Sequence, residues 1–119
     1  MIFTNEKAFE NVEVLSKLDE KGMLGYAISR NRHKLTAELQ DYFSKRDELL
    51  KEHGKDIGQG RFELQPEDAA AFVSELRPFN ELTVDVDVMQ ITPDVFYSGN
   101  LTSSQMFILD WMVKDGDMI

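Results

Sequence analysis

Apolar positions recur at helical spacing through the first half of the chain. Ala8, Val12 and Leu15 share one face, and Phe9 and Leu18 widen it. Thr4 or Asn5 can cap this first helix, with Glu6 in its opening turn. Gly22 and Gly25 interrupt the pattern. The longest periodic segment follows, over 23–53: Ile28, Leu35, Leu39, Tyr42 and Leu49 recur at intervals of seven, four, three and seven, with Phe43 and Leu50 on the same side. Asp41 with Lys45 and Asp47 with Lys51 are acid-before-base pairs four apart, which support a helix, and Gly54 supplies the stop. At 1.5 Å per residue such a helix is about 45 Å long, so it projects from the domain or pairs with another helix. Read as heptads, the stripe puts Arg32 and Arg46 at seam positions. Either the seam joins two copies, or it is buried within one subunit with the arginine stems reaching outward.

The second half changes period. Gly54, Gly58 and Gly60 mark a loop, and 61–64 is long enough for a short strand. Pro66, followed by Glu67 and Asp68, starts a helix with Ala69, Phe72, Val73 and Leu76 on its buried side, which Pro78 ends. Over 82–88, Leu82, Val84, Val86 and Val88 alternate with Thr83, Asp85 and Asp87. This is a one-sided strand, for which 61–64 is the expected partner. A loop covers the turn-forming residues from Pro93 to Asn100. Thr102 and Gln105 then have capping-box spacing before a final helix, apolar nearly all round, that carries Trp111. Such a helix is central to the core or partly covered by another chain.

The chain has 119 residues, the length of one domain, and no apolar run long enough to cross a bilayer. Residues 1–119 therefore form one domain. The N-terminal residues lack the basic start and apolar core of a signal peptide, and a cytoplasmic protein is expected, in a bacterial host cell if the origin discussed below holds. With no cysteine, disulfides, thiol catalysis and thiolate metal sites are excluded. The net charge is −9, and all of it lies in the second half. Residues 1–55 carry ten basic and ten acidic residues, whereas 56–119 carry three basic and twelve acidic ones. That field repels phosphates, so direct nucleic-acid binding is not expected. It favours a basic protein partner or serves solubility.

Little in the sequence points to catalysis. Asp85 and Asp87 on one strand face could hold a divalent ion only with further oxygen ligands, and a solvated edge is the simpler reading. His33 and His53 are twenty residues apart on one predicted helix, about 30 Å, too far to share a site. Gly58-Gln59-Gly60 lacks the lysine and helix start of a phosphate loop. No enzyme activity and no cofactor are expected. Arg30, Arg32, His33 and Lys34 form the one basic cluster; they span more than half the helix circumference and are expected to match the acidic half internally. Phe96 and Tyr97, between turn residues, are either binding anchors or a lid on the core.

Two stretches carry a resemblance: Gly25-Tyr26-Ala27-Ile28-Ser29-Arg30-Asn31-Arg32-His33-Lys34-Leu35, and Leu82-Thr83-Val84-Asp85-Val86-Asp87-Val88 with the threonine-started closing helix at Leu101-Thr102. Together they resemble small phage and prophage proteins of a domain-of-unknown-function family from phages of Gram-positive bacteria. The resemblance runs from residue 23 onward, and its motifs are structural. It implies a phage-related, non-enzymatic protein and brings no activity with it.

The expected fold is α+β and mostly helical, with a long central helix, a small antiparallel two-stranded sheet and an apolar C-terminal helix. The expected function is a non-enzymatic phage or prophage interaction protein that acts through helical surfaces as a homo-oligomer. The alternative is an acidic inhibitor of a basic host defence or nucleic-acid-handling protein. Candidate contact residues are Arg32, Leu39, Tyr42, Arg46, Leu49, Asp85, Asp87, Phe96, Tyr97 and Trp111.

Overall fold

The computed structural model describes residues 1–114. The fold is α+β and mostly helical, as expected. In chain order it runs β1 (Ile2–Thr4), α1 (Asn5–Ser16), α2 (Gly22–Glu38), α3 (Gln40–His53), β2 (Lys55–Gly58), β3 (Arg61–Glu63), α4 (Pro66–Asn80), β4 (Thr83–Asp85), α5 (Pro93–Phe96), α6 (Ser103–Ile108) and a 3₁₀ turn at Asp110–Met112. Thr4 caps α1 by accepting a hydrogen bond from the Lys7 amide (3.1 Å). The capping box at Thr102 and Gln105 is present in both directions.

The long helix is broken once. At Leu39 the backbone leaves helical geometry (φ −94°, ψ 7°), and its amide is shared between the Leu35 and Thr36 carbonyls (3.1 and 3.2 Å). The Gln40 side-chain amide also donates to the Thr36 carbonyl, at 2.8 Å. A side chain competing for a ladder carbonyl is a recognised cause of such breaks. Helix α3 resumes at once, because the Phe43 amide donates to the Leu39 carbonyl (2.8 Å). The two helices together set the 50 Å long axis of a molecule only 26 by 23 Å across. Helix α1 lies along α2, and α4 lies along α3.

Strand pairing differs from the expectation. The 82–88 segment pairs with β1, not with 61–64; Ile2, Phe3 and Thr4 face Asp85, Val84 and Thr83 in antiparallel register. Three residues carry no readable alternation, and Thr4 serves both as the strand's last residue and as the helix cap. The ladder is extended at both ends by Asn5 N–H to the Leu82 carbonyl (2.7 Å) and Val86 N–H to the Met1 carbonyl (2.8 Å). Segment 61–64 is instead used locally. Gly58, Gln59 and Gly60 all have positive φ (97°, 55° and 72°), which folds β2 back on β3 as a hairpin where a plain loop was expected. Closing so short a loop costs less entropy than a distant pairing.

Pro78 does not end α4, which continues to Asn80. The proline forfeits one ladder bond, and tertiary contacts hold the extra turn. The Asn5 side-chain amide donates to the Phe79 carbonyl (2.9 Å), and the Tyr42 hydroxyl donates to the Asn80 side chain. The closing helix is also shorter than expected. After α6 the chain tightens into the 3₁₀ turn, and Val113 lies parallel to Ile91. One core, including Leu15, Leu35, Leu39, Phe96, Leu109 and Met112, joins the helices to the β1–β4 pair, while the β2–β3 hairpin contributes no buried residue to it.

Candidate functional site

The seam of the long helix is closed inside one subunit. Leu39, Tyr42 and Leu49 are buried, and Tyr42 meets Phe9 of α1 edge-on at 6.0 Å. The Arg46 guanidinium lies 4.3 Å from the Phe9 ring centre, with the Tyr42 and Phe72 rings at 5.8 and 5.9 Å. This is a cation–π cage built from three helices. Trp111, expected as a contact residue, is likewise engaged internally. Its indole N–H donates to buried Asn11 (2.8 Å), and its ring stands edge-on to Phe3 at 5.3 Å.

Phe96 is buried as part of the core, which makes it the lid of the two alternatives. Its neighbour Tyr97 stands edge-on to it at 5.2 Å and is exposed. Asp85 and Asp87 do not share a strand face. β4 ends at Asp85, whose carboxylate lies 3.0 Å from the Met1 amino nitrogen, and the Val88 amide turns back onto the Val86 carbonyl (3.0 Å). Asp94 lies in the first turn of α5, where a hydrogen bond from the Thr92 hydroxyl holds its carboxyl below the ordinary value.

The basic cluster departs most from expectation. Among the described residues no carboxylate lies within 4.0 Å of Arg30, Arg32 or Lys34; the ion pairs present are Met1–Asp85, Lys45–Glu48 and His53–Glu75. Among the described residues, then, the expected internal match is not made. One face of α2 buries Leu24, Ala27, Ile28, Asn31 and Leu35. The other lines a shallow depression of about 390 Å³ with Tyr26, Ser29, Arg30, His33, Lys34 and Ala37, spaced three and four apart. Arg32 sits on the flank, half-buried, beside Thr36 and Gln40. Tyr26 is 60% exposed and Met23 56%. Both were missed because, on an amphipathic reading, large apolar side chains are assigned inward. Phe107 was missed for the same reason and is 81% exposed at the rim of a second groove, opposite Ile2.

What fixes the orientation of α2 is a buried polar contact. Asn31 is fully buried; its amide donates to the Met89 carbonyl (2.9 Å) and its oxygen accepts from the Met89 amide (2.7 Å). At the other end of the molecule, His53 hydrogen-bonds Glu75 of α4. That bond, opposed by partial burial and aided by the nearby charges of Glu75, Glu52 and Asp68, raises the imidazole pKa above its ordinary value.

The acidic residues of the second half come from several elements. They sit on the hairpin (Asp56, Glu63), on α4 and just after it (Glu67, Asp68, Glu75, Glu81), on β4 and just after it (Asp85, Asp87), on α5 (Asp94) and on the 3₁₀ turn (Asp110), while Asp115 and Asp117 lie outside the described residues. Among the described residues no helix is long and apolar enough to cross a membrane. No protein family, curated protein or solved structure matches this chain.

Proposed function

We propose that this chain is a non-enzymatic interaction module of phage or prophage type, and that it binds an acidic surface of a partner protein through the outer face of α2. The carrying observation is the cationic strip of Arg30, His33 and Lys34 beside exposed Tyr26 and Met23, with no carboxylate at hand among the described residues. Arg30 and Lys34, with Arg32 on the flank, orient an acidic partner onto this face, because the rest of an otherwise acidic protein repels it. Tyr26 and Met23 supply apolar anchors of the kind that dominate interface energies. A long nucleic acid fits less well. Phosphate binding draws on many cooperating cations, and the remaining surface of a chain with net charge −9 opposes it. The phage or prophage origin is supported by the motif resemblance at 25–35 and 82–88. Self-association, expected from the seam, would use another surface, because Leu39, Tyr42, Leu49 and Arg46 are engaged within the subunit. The alternative reading, an acidic inhibitor, has less to support it, because no single helix or strand carries the carboxylates of the second half.

An amphipathic peptide of alternating glutamate and leucine serves as the probe. Amide shifts confined to 23–37, weakening as salt rises and lost in the double variant R30E/K34E, are the expected result. Shifts centred on α4 or the hairpin overturn the assignment. Preference for an oligonucleotide of equal charge overturns the partner class. A salt-sensitive dimer of the chain alone, abolished by the same double variant, replaces the partner protein with a second copy.

A further inference from the structure

We propose that Glu52, His53 and Glu75 bind a zinc-class divalent cation that clamps the end of α3 to α4. One ligand atom from each of the three residues lies within 4.8 Å of the other two, and no other group of three such residues converges among those described. The donor set has the right chemistry. One imidazole and two carboxylates suit zinc, nickel or cobalt, whereas calcium and magnesium prefer oxygen alone.

The geometry closes with side-chain motion only. Metal bonds of about 2.0–2.2 Å put tetrahedral ligands roughly 3.4 Å apart. Glu52 and Glu75 are exposed on the surfaces of α3 and α4, free to change rotamer, while His53, half-buried at the last helical position, stays fixed. His53 Nε2 already faces the Glu75 carboxylate, so the ion takes the place of the shared proton, which is released to solvent. Asp68 adds negative charge near the imidazole, deepening the potential that attracts a cation. Three protein ligands leave a position for water. The site lies where α3 gives way to the β2–β3 hairpin, so occupancy would join the hairpin's base to α4.

The test is a titration of the full chain, first stripped with chelator, with zinc chloride and separately with cobalt chloride. We expect zinc to raise Tm by about 4 °C or more at saturation. Cobalt should give a visible ligand-field band at one equivalent. His53→Gln and Glu75→Gln should each weaken binding at least tenfold, and Asp87→Asn should leave it unchanged. Because His53→Gln could disturb the α3–α4 contact, Glu52→Gln, at an exposed position, provides the same comparison on an intact fold and should also bind more weakly. No Tm change with zinc, no cobalt band, or equal binding by wild type and Glu52→Gln overturns the site.

Discussion

Replacing Asn31 by alanine removes both hydrogen bonds that tie the Met89 backbone to α2, at 2.9 and 2.7 Å. Two lost bonds account for about 1–3 kcal/mol, and leaving a buried peptide donor and acceptor unpaired costs a further ~1–3 kcal/mol. Met89 itself is only half-buried, so water recovers part of the second contribution. A loss of about 2–4 kcal/mol results, equivalent to a fall in Tm of roughly 8–16 °C in a domain of this size. Urea titration followed by circular dichroism measures it directly, with an unchanged m-value as the check that the same transition is being read. Asn31→Leu is the sharper variant. It keeps the branched shape and adds apolar surface and some bulk, yet still strands the Met89 amide and carbonyl, so it should be as unstable as the alanine variant. Amide exchange at Met89 should quicken in both. If Asn31→Leu is within 1 kcal/mol of wild type, the assigned role of the pair is wrong.

Two further expectations concern groups away from the α2 face. Arg46→Ala should cost about 1–2 kcal/mol through lost cation–π contact and lost stem packing, and Arg46→Met should recover the packing share; thermal melts of the two separate the contributions. Asp94, held below its ordinary 3.8 by the Thr92 hydroxyl, contributes stability that is present above that ordinary value and lost as pH falls through its lowered folded value. The stability difference between wild type and Asp94→Asn should therefore shrink on acidification below pH 4, and a pH series of urea melts that shows no such narrowing refutes it.

Local signals in the sequence translated well. The Thr4 cap, the Thr102–Gln105 box, Pro66 at the start of α4 and the buried stripe through Leu35, Leu39, Tyr42 and Leu49 all rest on contacts within a few residues. Non-local pairing did not translate. A three-residue strand such as β1 has no periodicity to detect, so the true partner of Thr83–Asp85 was hidden behind a helix cap. The break at Leu39 depends on where one glutamine side chain goes, and apolar spacing runs straight through it. The candidate sites were hidden for a different reason. Glu52 and His53 are adjacent in the chain, but Glu75 reaches them only through the packing of α3 on α4, and no spacing rule encodes that distance.

Two arginines in one nearly continuous helical run show why charge counting could not locate a binding face. Arg46 and Arg30 are sixteen residues apart and look equivalent in sequence. Arg46 meets three aromatic rings from α1, α3 and α4, because α3 is flanked on that side by Phe9 and Phe72, and its charge is absorbed by the fold. Arg30 projects from α2 away from the core, into the depression it lines, with no ring and no carboxylate placed to receive it among the described residues. The acidic residues of the second half, which could have balanced it, sit on other elements. Net charge predicts only the average field. A cation becomes available to a partner when the fold leaves it unmatched, and here the buried face of α2, pinned by Asn31, is what turns Arg30 and Lys34 outward. Breaking the Asn31 contact should therefore weaken acidic-peptide binding at a face the mutation does not touch.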